Sequence, residues 1–445
     1  MNTSQNNYKK LSTMMFLQFF VWGSWFATLG SVLTNANMSG IIGDAYGAGP
    51  IAAIIAPLFL GIIADRFFAS QRVMAVLFIV GAATMLSIPG AIEAGNSGLV
   101  KTLIMAHMLC YMPTLGLGNT IAFSNVERDV FPKVRVWGTI GWIAAGLVGG
   151  FLAWSASVNL FWMAGISSAV LGVFCFTLPN TPPPAKGDPI KLRSLLMVDA
   201  FKMLGNPGFF VFILCSTLIC IPLAYYYAFT APFIGSAGFS QPASAMAIGQ
   251  MSEIIFMLLI PFFFRKLGVK KMILIGMATW VLRYLLFAFG APDQVAWMLF
   301  AGIAVHGICY DFFFVTGFMY TDQKAPKAIR GQAQSMLVFF TQGIGMFFGF
   351  RFAGEKFAAV AASNDALATE IAEHSSVESL SFAQQFGQMF QVGLPDKISP
   401  ETLSAAMLQW KEFWQLPAIM AAVIFVLFAL SFWDKSSTQN NSEND

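Results

Sequence analysis

Long apolar runs with almost no charge recur along this chain, and that recurrence decides what it can become. A helix needs about 20 predominantly apolar residues to cross the hydrocarbon of a bilayer. Twelve segments qualify, near 12–34, 41–64, 73–92, 100–124, 134–154, 159–178, 207–232, 243–264, 271–290, 296–320, 331–352 and 412–433. They predict an all-α membrane protein with twelve transmembrane helices. Only 11% of the residues are charged and 57% are hydrophobic, against about 25% charged in soluble domains. A soluble core cannot hide that much apolar surface, whereas a lipid bilayer accepts it. The first run, after Lys9 and Lys10, exceeds the roughly 7–15 apolar residues of a signal peptide and shows no cleavage site, so it reads as an uncleaved span.

The few charges then orient the chain. Nineteen of the 25 Lys and Arg residues fall on the face that carries the N-terminus, among them Lys9, Arg72, Arg135, Arg193, Lys270 and Arg330. The opposite loops hold only Lys101, Lys356, Lys397 and Lys411. By the positive-inside rule both termini are expected in the cytoplasm. A net charge of +3 gives no reason to expect nucleic acid as a partner. Cys110, Cys175, Cys215, Cys220 and Cys309 lie within apolar runs at no metal-binding spacing, and read as small buried hydrophobes.

Two polar segments interrupt the pattern. LPNTPPPAKGDPIKLRSLL, within 178–203, is a Pro-rich basic connector. It divides a six-helix half at 1–178 from a second at 204–433, with the connector spanning 179–203. The acidic stretch 354–411 is expected to be external and partly helical, and 434–445 to be a disordered tail. Charged turns stand at matching places in the halves, GIIADRFFASQR at 61–72 and PFFFRKLGVKKM at 261–272. Gly61, Asp65 and Arg66 resemble the Gly-x-x-x-Asp-Arg loop of the major facilitator superfamily, with Phe68 where that signature has Gly. In such folds substrate binds near the bilayer midplane.

A charge at the centre of a spanning helix costs roughly 2.5–3.5 kcal/mol. Glu253, Arg283 and Asp311 lie well inside spans eight, nine and ten, so together they would cost about 8–10 kcal/mol facing lipid. They must face a polar cavity or one another. One outcome is an ion-pair network that only fixes packing. The other is a proton-coupling site, because a carboxylate shielded from water keeps its proton toward the working pH range. Gln250 stands three residues before Glu253, on the same helical face. His306 and Tyr310 are four apart beside Asp311, giving span ten a polar ridge.

Span five carries Arg135, Thr139 and Trp142 at i, i+4 and i+7 within RVWGTIGW. A cation, a hydroxyl and an aromatic plate suit a flat polar ligand, although an interfacial Arg with a packing Trp would read the same. Gly138 and Gly141 leave the rest of that helix thin for close packing. Tyr225, Tyr226 and Tyr227 on span seven cannot all face one way, and Gln18, Trp22 and Trp25 on span one repeat a cavity-type spacing.

The strings FLQFFVWGSWFATLG at 16–30, YMPTLGLGNTIAF at 111–123, RVWGTIGW at 135–142, GQMSEIIFMLLIPFF at 249–263 and HGICYDFFFVTG at 306–317 resemble the bacterial nucleoside:proton symporter family of the major facilitator superfamily. The resemblance implies proton-driven nucleoside uptake across the inner membrane by a monomer that needs no cofactor beyond the proton. It implies a nucleoside site that includes Arg135, Thr139, Trp142, Gln250 and Tyr310, and proton coupling through Glu253 and Asp311; the residues themselves add Tyr227 and His306 to the expected nucleoside site and Arg283 to the expected proton-coupling group. Better-known members have Gln and Asn where Ala224 and Tyr227 stand, and Tyr where His306 stands. Those departures place the chain nearer a less characterised branch.

The spacing from Arg135 to Trp142 is also similar to the lactose-permease group, where the aromatic stacks on a pyranose, so a sugar or glycoside symporter stays open. A membrane-embedded enzyme or sensor is the more distant alternative. HExxH and Gly-x-Ser-x-Gly motifs are missing, and the loops are too short for an output domain.

Overall fold

A computed structural model describes residues 3–59, 67–127, 130–183, 193, 196–374 and 381–433. These residues are mostly helical, with turns, short irregular connections and one isolated antiparallel bridge between Phe239 and Val392. Among them, ten helical runs are long and apolar enough to cross a membrane. Asn159–Cys175 is apolar but shorter, at 17 residues. Gly61, Asp65 and Arg66 of the loop signature lie outside the described residues, as do 184–192, 194 and 195 of the connector and the tail 434–445.

Several spans differ in outline from the apolar runs that mark them. The runs at 243–264 and 271–290 merge into Pro242–Gly290, interrupted only at Gly268, whose φ of 67° and ψ of 175° are non-helical. Glycine tolerates that left-handed φ without the steric cost of a Cβ. The run at 331–352 continues as helix to His374, and the last helix begins at Pro400, well before 412. The 354–411 stretch is therefore largely helix growing out of its flanking spans. Its AAVAASNDALATEIAEH sequence is polar enough to end a hydropathy run yet rich in good helix formers.

Two spans are broken where a continuous helix was expected. The first runs Thr3–Gly23, passes through a 3₁₀ turn at Phe26–Thr28 and resumes at Leu29–Asn35. Ser24 marks the break, its hydroxyl donating back to Phe20 O at 2.6 Å, a bond that competes with regular helix. The tenth runs Ala296–Ala304, restarts at His306–Tyr310, and widens into a π-helical turn at Asp311–Val315.

The chain forms two compact units. One comprises Met1–Lys191, Tyr226–Ala247 and Phe350–Gln409. Its core joins Leu11, Met14 and Val21 to Met74 and Phe78, to Leu117 and Ile121, and to Leu171. The Phe350–Gln409 stretch is tied in by a stack of Phe350 on Tyr46 and by hydrogen bonds from Ser39 Oγ to Asp365 and from Ser236 Oγ to Asn364. Thr3–Gly23 and Phe131–Phe151 pack with backbones nearly touching, and a Cβ at Gly141 would lie 2.1 Å from Phe16 O.

Overpacked sites typically cost about 1–3 kcal/mol, and one pressed against backbone stands at or above that range. Gly141→Val is therefore expected to lower the thermal unfolding temperature in detergent sharply. Gly47→Ala, whose Cβ would meet nothing within 4 Å, is expected to leave it unchanged. Equal tolerance at both positions would contradict the close helix contact.

The other unit comprises Leu192–Tyr225, Ile248–Gly349 and Trp410–Asp445. Tyr284, Trp410 and Trp414 stack at its centre, and Tyr284 donates to Pro222 O. Outside the spans, Arg193 and Lys202 hydrogen-bond Asp199 and hold its carboxyl down to about 2. This exposed cluster therefore persists through the neutral range and breaks only as pH falls through that value.

Candidate functional site

Three of the polar residues placed inside the membrane by sequence form one buried chain in the second unit. Arg283 is fully buried. Its Nε donates to Gly302 O at 2.9 Å, and its Nη2 lies 3.1 Å from His306 Nδ1. On the other side of the ring, His306 Nε2 is 4.0 Å from Glu253 Oε2. Arginine offers only donors, so His306 Nδ1 must accept. A neutral His306 then carries its proton on Nε2, directed at Glu253. The imidazole thus stands between a fixed cation and a carboxylate, positioned to pass on the influence of one to the other.

The backbone explains how these groups meet. A Cβ at Gly307 would lie 2.5 Å from Ser252 O and 2.7 Å from Glu253 N, so only glycine lets the helices approach here. The Gly307 N–H, available where the helix restarts, donates to Ser252 Oγ at 2.9 Å. That contact sets His306 opposite Glu253. Tyr310 stacks on His306 with centroids 5.8 Å apart, and its other side meets Phe314 at 5.0 Å. Gln250 lies half-buried one turn before Glu253.

Asp311 opens the π-helical turn, is fully buried, and lies within electrostatic reach of Glu253. Neither of its carboxylate oxygens has a hydrogen-bond partner among the described residues. Buried polar groups are nearly always satisfied, and an orphaned one marks an unusual role. π turns, likewise, concentrate at functional sites.

The first unit holds a separate aromatic group. Arg135, Thr139 and Trp142 share the Phe131–Phe151 helix and are all half-buried. The Arg135 guanidinium sits 4.2 Å over the Phe19 ring. Trp142 meets Trp22 edge-on at 5.2 Å and Phe26 at 6.2 Å, and Phe26 in turn meets Tyr227 at 6.1 Å. The break in the first span therefore lies beside Trp142 and places Phe26 between Trp142 and Tyr227. Discontinuous helices of this kind recur at transporter binding sites, where irregular backbone lines a cavity.

Other predicted residues are committed elsewhere. Gln18 is buried and donates to Thr114 Oγ1 at 3.2 Å, while Tyr111 donates to Gln18 O at 2.8 Å. Trp25 is buried against His107 and Phe161. Tyr225 turns away from its neighbours to pack on Phe413. Sequence reasoning missed Phe19, Phe26 and Ser252. Phe26, four residues after Trp22, carried a helical-spacing signal; Ser252 had none beyond its place beside Glu253.

A family model described as nucleoside H+ symporter matches residues 5–437. The chain belongs to the nucleoside H+ symporter family. YegT of Escherichia coli (strain K12) is 39% identical over 437 residues, covering 95% of this chain and 93% of YegT. The nucleoside permease NupG of the same organism is 33% identical over 359 residues, 76% of this chain and 85% of NupG. The crystal structure of NupG superposes with a TM-score of 0.76 at 28% identity, covering 98% of this chain and all of that one. This nucleoside H+ symporter homologue is accordingly a multi-pass membrane transporter of the major-facilitator type rather than an enzyme, and its family moves nucleosides with protons.

Proposed function

We propose that the protein takes up nucleosides by alternating access, with Glu253 and Asp311 exchanging the coupling proton and Arg283 acting on Glu253 through His306. The observation that carries this is the Arg283–His306–Glu253 chain beside a buried Asp311 that has no hydrogen bond. A network serving packing alone would satisfy its carboxylates. Arg135, Thr139, Trp142 and Tyr227 are assigned to the nucleoside, together with Gln250 and Tyr310. Trp142 and Tyr227 supply faces for a base, and Arg135 and Thr139 supply donors for ring or sugar oxygens.

The same proposal includes twelve spans in two six-helix halves, 1–178 and 204–433. At about 1.5 Å per residue, the 49-residue Pro242–Gly290 run is long enough to cross twice, and Gly268 supplies its turn. Counting that run as two spans and adding Asn159–Cys175 raises the ten apolar runs to twelve. Both ends then lie on one side, which the Lys and Arg distribution assigns to the cytoplasm of a bacterial inner membrane.

The test is uptake of labelled uridine and adenosine into vesicles with and without an inward proton gradient. Accumulation only with the gradient is expected. Equal uptake in both would sink the coupling, and uptake of pyranosides in place of nucleosides would move the substrate class to sugars. Base–aromatic stacking is worth about 1–3 kcal/mol. Trp142→Ala is therefore expected to raise the nucleoside KM at least about fivefold with little change in protein yield; an unchanged KM would assign Trp142 to packing.

A further inference from the structure

The short helix Phe382–Gln388 is built inside out for a helix in water. Phe382 and Phe386 share one face at four-residue spacing, Phe390 stands in the turn that follows, and the three are 75%, 64% and 42% exposed. Gln385 and Gln388 turn partly toward the protein, and Met389 is buried. The helix is no accident of a loose loop, because Ser381 and Gln384 form a reciprocal capping box at its start.

Both ends of the stretch are fixed to the ends of spanning helices within the first unit. The Phe382 ring lies 5.1 Å from that of Phe151, the last residue of Phe131–Phe151. Beyond the helix, Gly393 N–H donates to Gly238 O at 2.8 Å and Ser240 N–H donates to Gln391 O at 3.1 Å. Gly238 and Ser240 sit in the turn between Pro207–Ser236 and Pro242–Gly290. The stretch therefore runs between the ends of these helices. Phe131–Phe151 itself exposes apolar side chains at Val136, Trp137 and Val148.

We propose that Phe382, Phe386 and Phe390 form an interfacial anchor, with their rings in the headgroup–acyl boundary of the leaflet at that end. Exposed aromatic rings, with Gln385 and Gln388 turned partly inward, form an arrangement that lipid favours and water penalises. From Phe382 to Leu394 the chain carries no charge. The anchor therefore holds by apolar burial and is indifferent to anionic lipid, unlike a polybasic surface segment. The inference rests on the membrane crossing of Phe131–Phe151 and is independent of what the protein transports.

The test places a spin label, through cysteine, at Phe382, Phe386 and Phe390 in turn, and at the exposed Asp396 as a water reference. The five native cysteines are replaced by alanine, and the protein is reconstituted in phosphatidylcholine vesicles with and without phosphatidylglycerol. At all three phenylalanine sites, collisions with oxygen are expected to exceed those with a water-soluble nickel chelate, with the reverse at Asp396. That pattern is expected in both vesicle types. Nickel access at the three sites matching that at Asp396 would overturn the anchor. Protection from both relaxants, with spectral broadening that vanishes on dilution with unlabelled protein, would instead show a second copy covering the face and overturn it equally.

Discussion

Replacing Glu253 by Gln, or Asp311 by Asn, is expected to abolish gradient-driven nucleoside accumulation while leaving the protein folded. Each substitution keeps the size and planar shape of the side chain and removes its ability to take up and release a proton. Asp311 has no hydrogen bond to lose among the described residues. Asparagine keeps the size of the side chain and is neutral, so it adds no charge to the buried site, and Asp311→Asn should unfold near the wild-type temperature. Gln at 253 retains an oxygen facing His306 Nε2, which at 4.0 Å lies beyond hydrogen-bond distance, so no hydrogen bond between the two is lost. Exchange of labelled nucleoside between vesicles preloaded on both sides needs no net proton movement and should persist in both variants. Loss of accumulation with retained exchange isolates coupling from binding. Accumulation at the wild-type level in either variant would return that carboxylate to a packing role.

The largest expected loss of stability comes from Arg283→Gln. Removing one partner from a buried charged network costs about 3–5 kcal/mol, since it leaves the remaining groups desolvated and unpaired. The guanidinium serves two partners in different directions, Gly302 O through Nε and His306 through Nη2. A glutamine cannot reach both. Arg283→Lys should not restore the lost stability either, because an ammonium offers no planar fork to hold two fixed acceptors. Arg351→Gln supplies the control: its pairing with Glu355 is exposed on both sides, and surface pairs contribute about 0–1 kcal/mol. Thermal unfolding in detergent would show a large fall for both Arg283 variants and almost none at Arg351. A small effect at Arg283 would mean that its burial is not sustained by these bonds.

Much of this architecture is legible in sequence because hydropathy reports directly what lipid demands. Apolar length located the ten long apolar helices among the described residues, and the cost of intramembrane charge singled out Glu253, Arg283 and Asp311. Hydropathy reports the membrane rather than the helix, however. Met346–His374 and Pro400–Ser431 extend far past their apolar runs because alanine- and glutamate-rich sequence continues a helix in water. The breaks beside Trp25 and before His306 were hidden for the opposite reason. They lie within largely apolar sequence, beside a serine that bonds backward and a glycine pressed against another backbone.

The candidate site was legible as residue types and not as connections. Helical spacing grouped Arg135, Thr139 and Trp142, and the structure keeps them on one helix. Spacing could not show that His306 bridges Arg283 and Glu253, since that contact joins distant parts of the chain through Gly307. Nor could it show Phe26 beside Trp142, which depends on the local unwinding of the first span.

The central claim is that nucleoside and proton move together. Its most direct test is the external pH of a weakly buffered, sodium-free suspension of vesicles with no imposed gradient, followed as uridine or adenosine is added. The wild-type protein should make the medium more alkaline as nucleoside enters, and the Glu253→Gln and Asp311→Asn variants should not. Nucleoside entry without any pH change, or entry only when sodium is supplied, would contradict proton symport through these carboxylates.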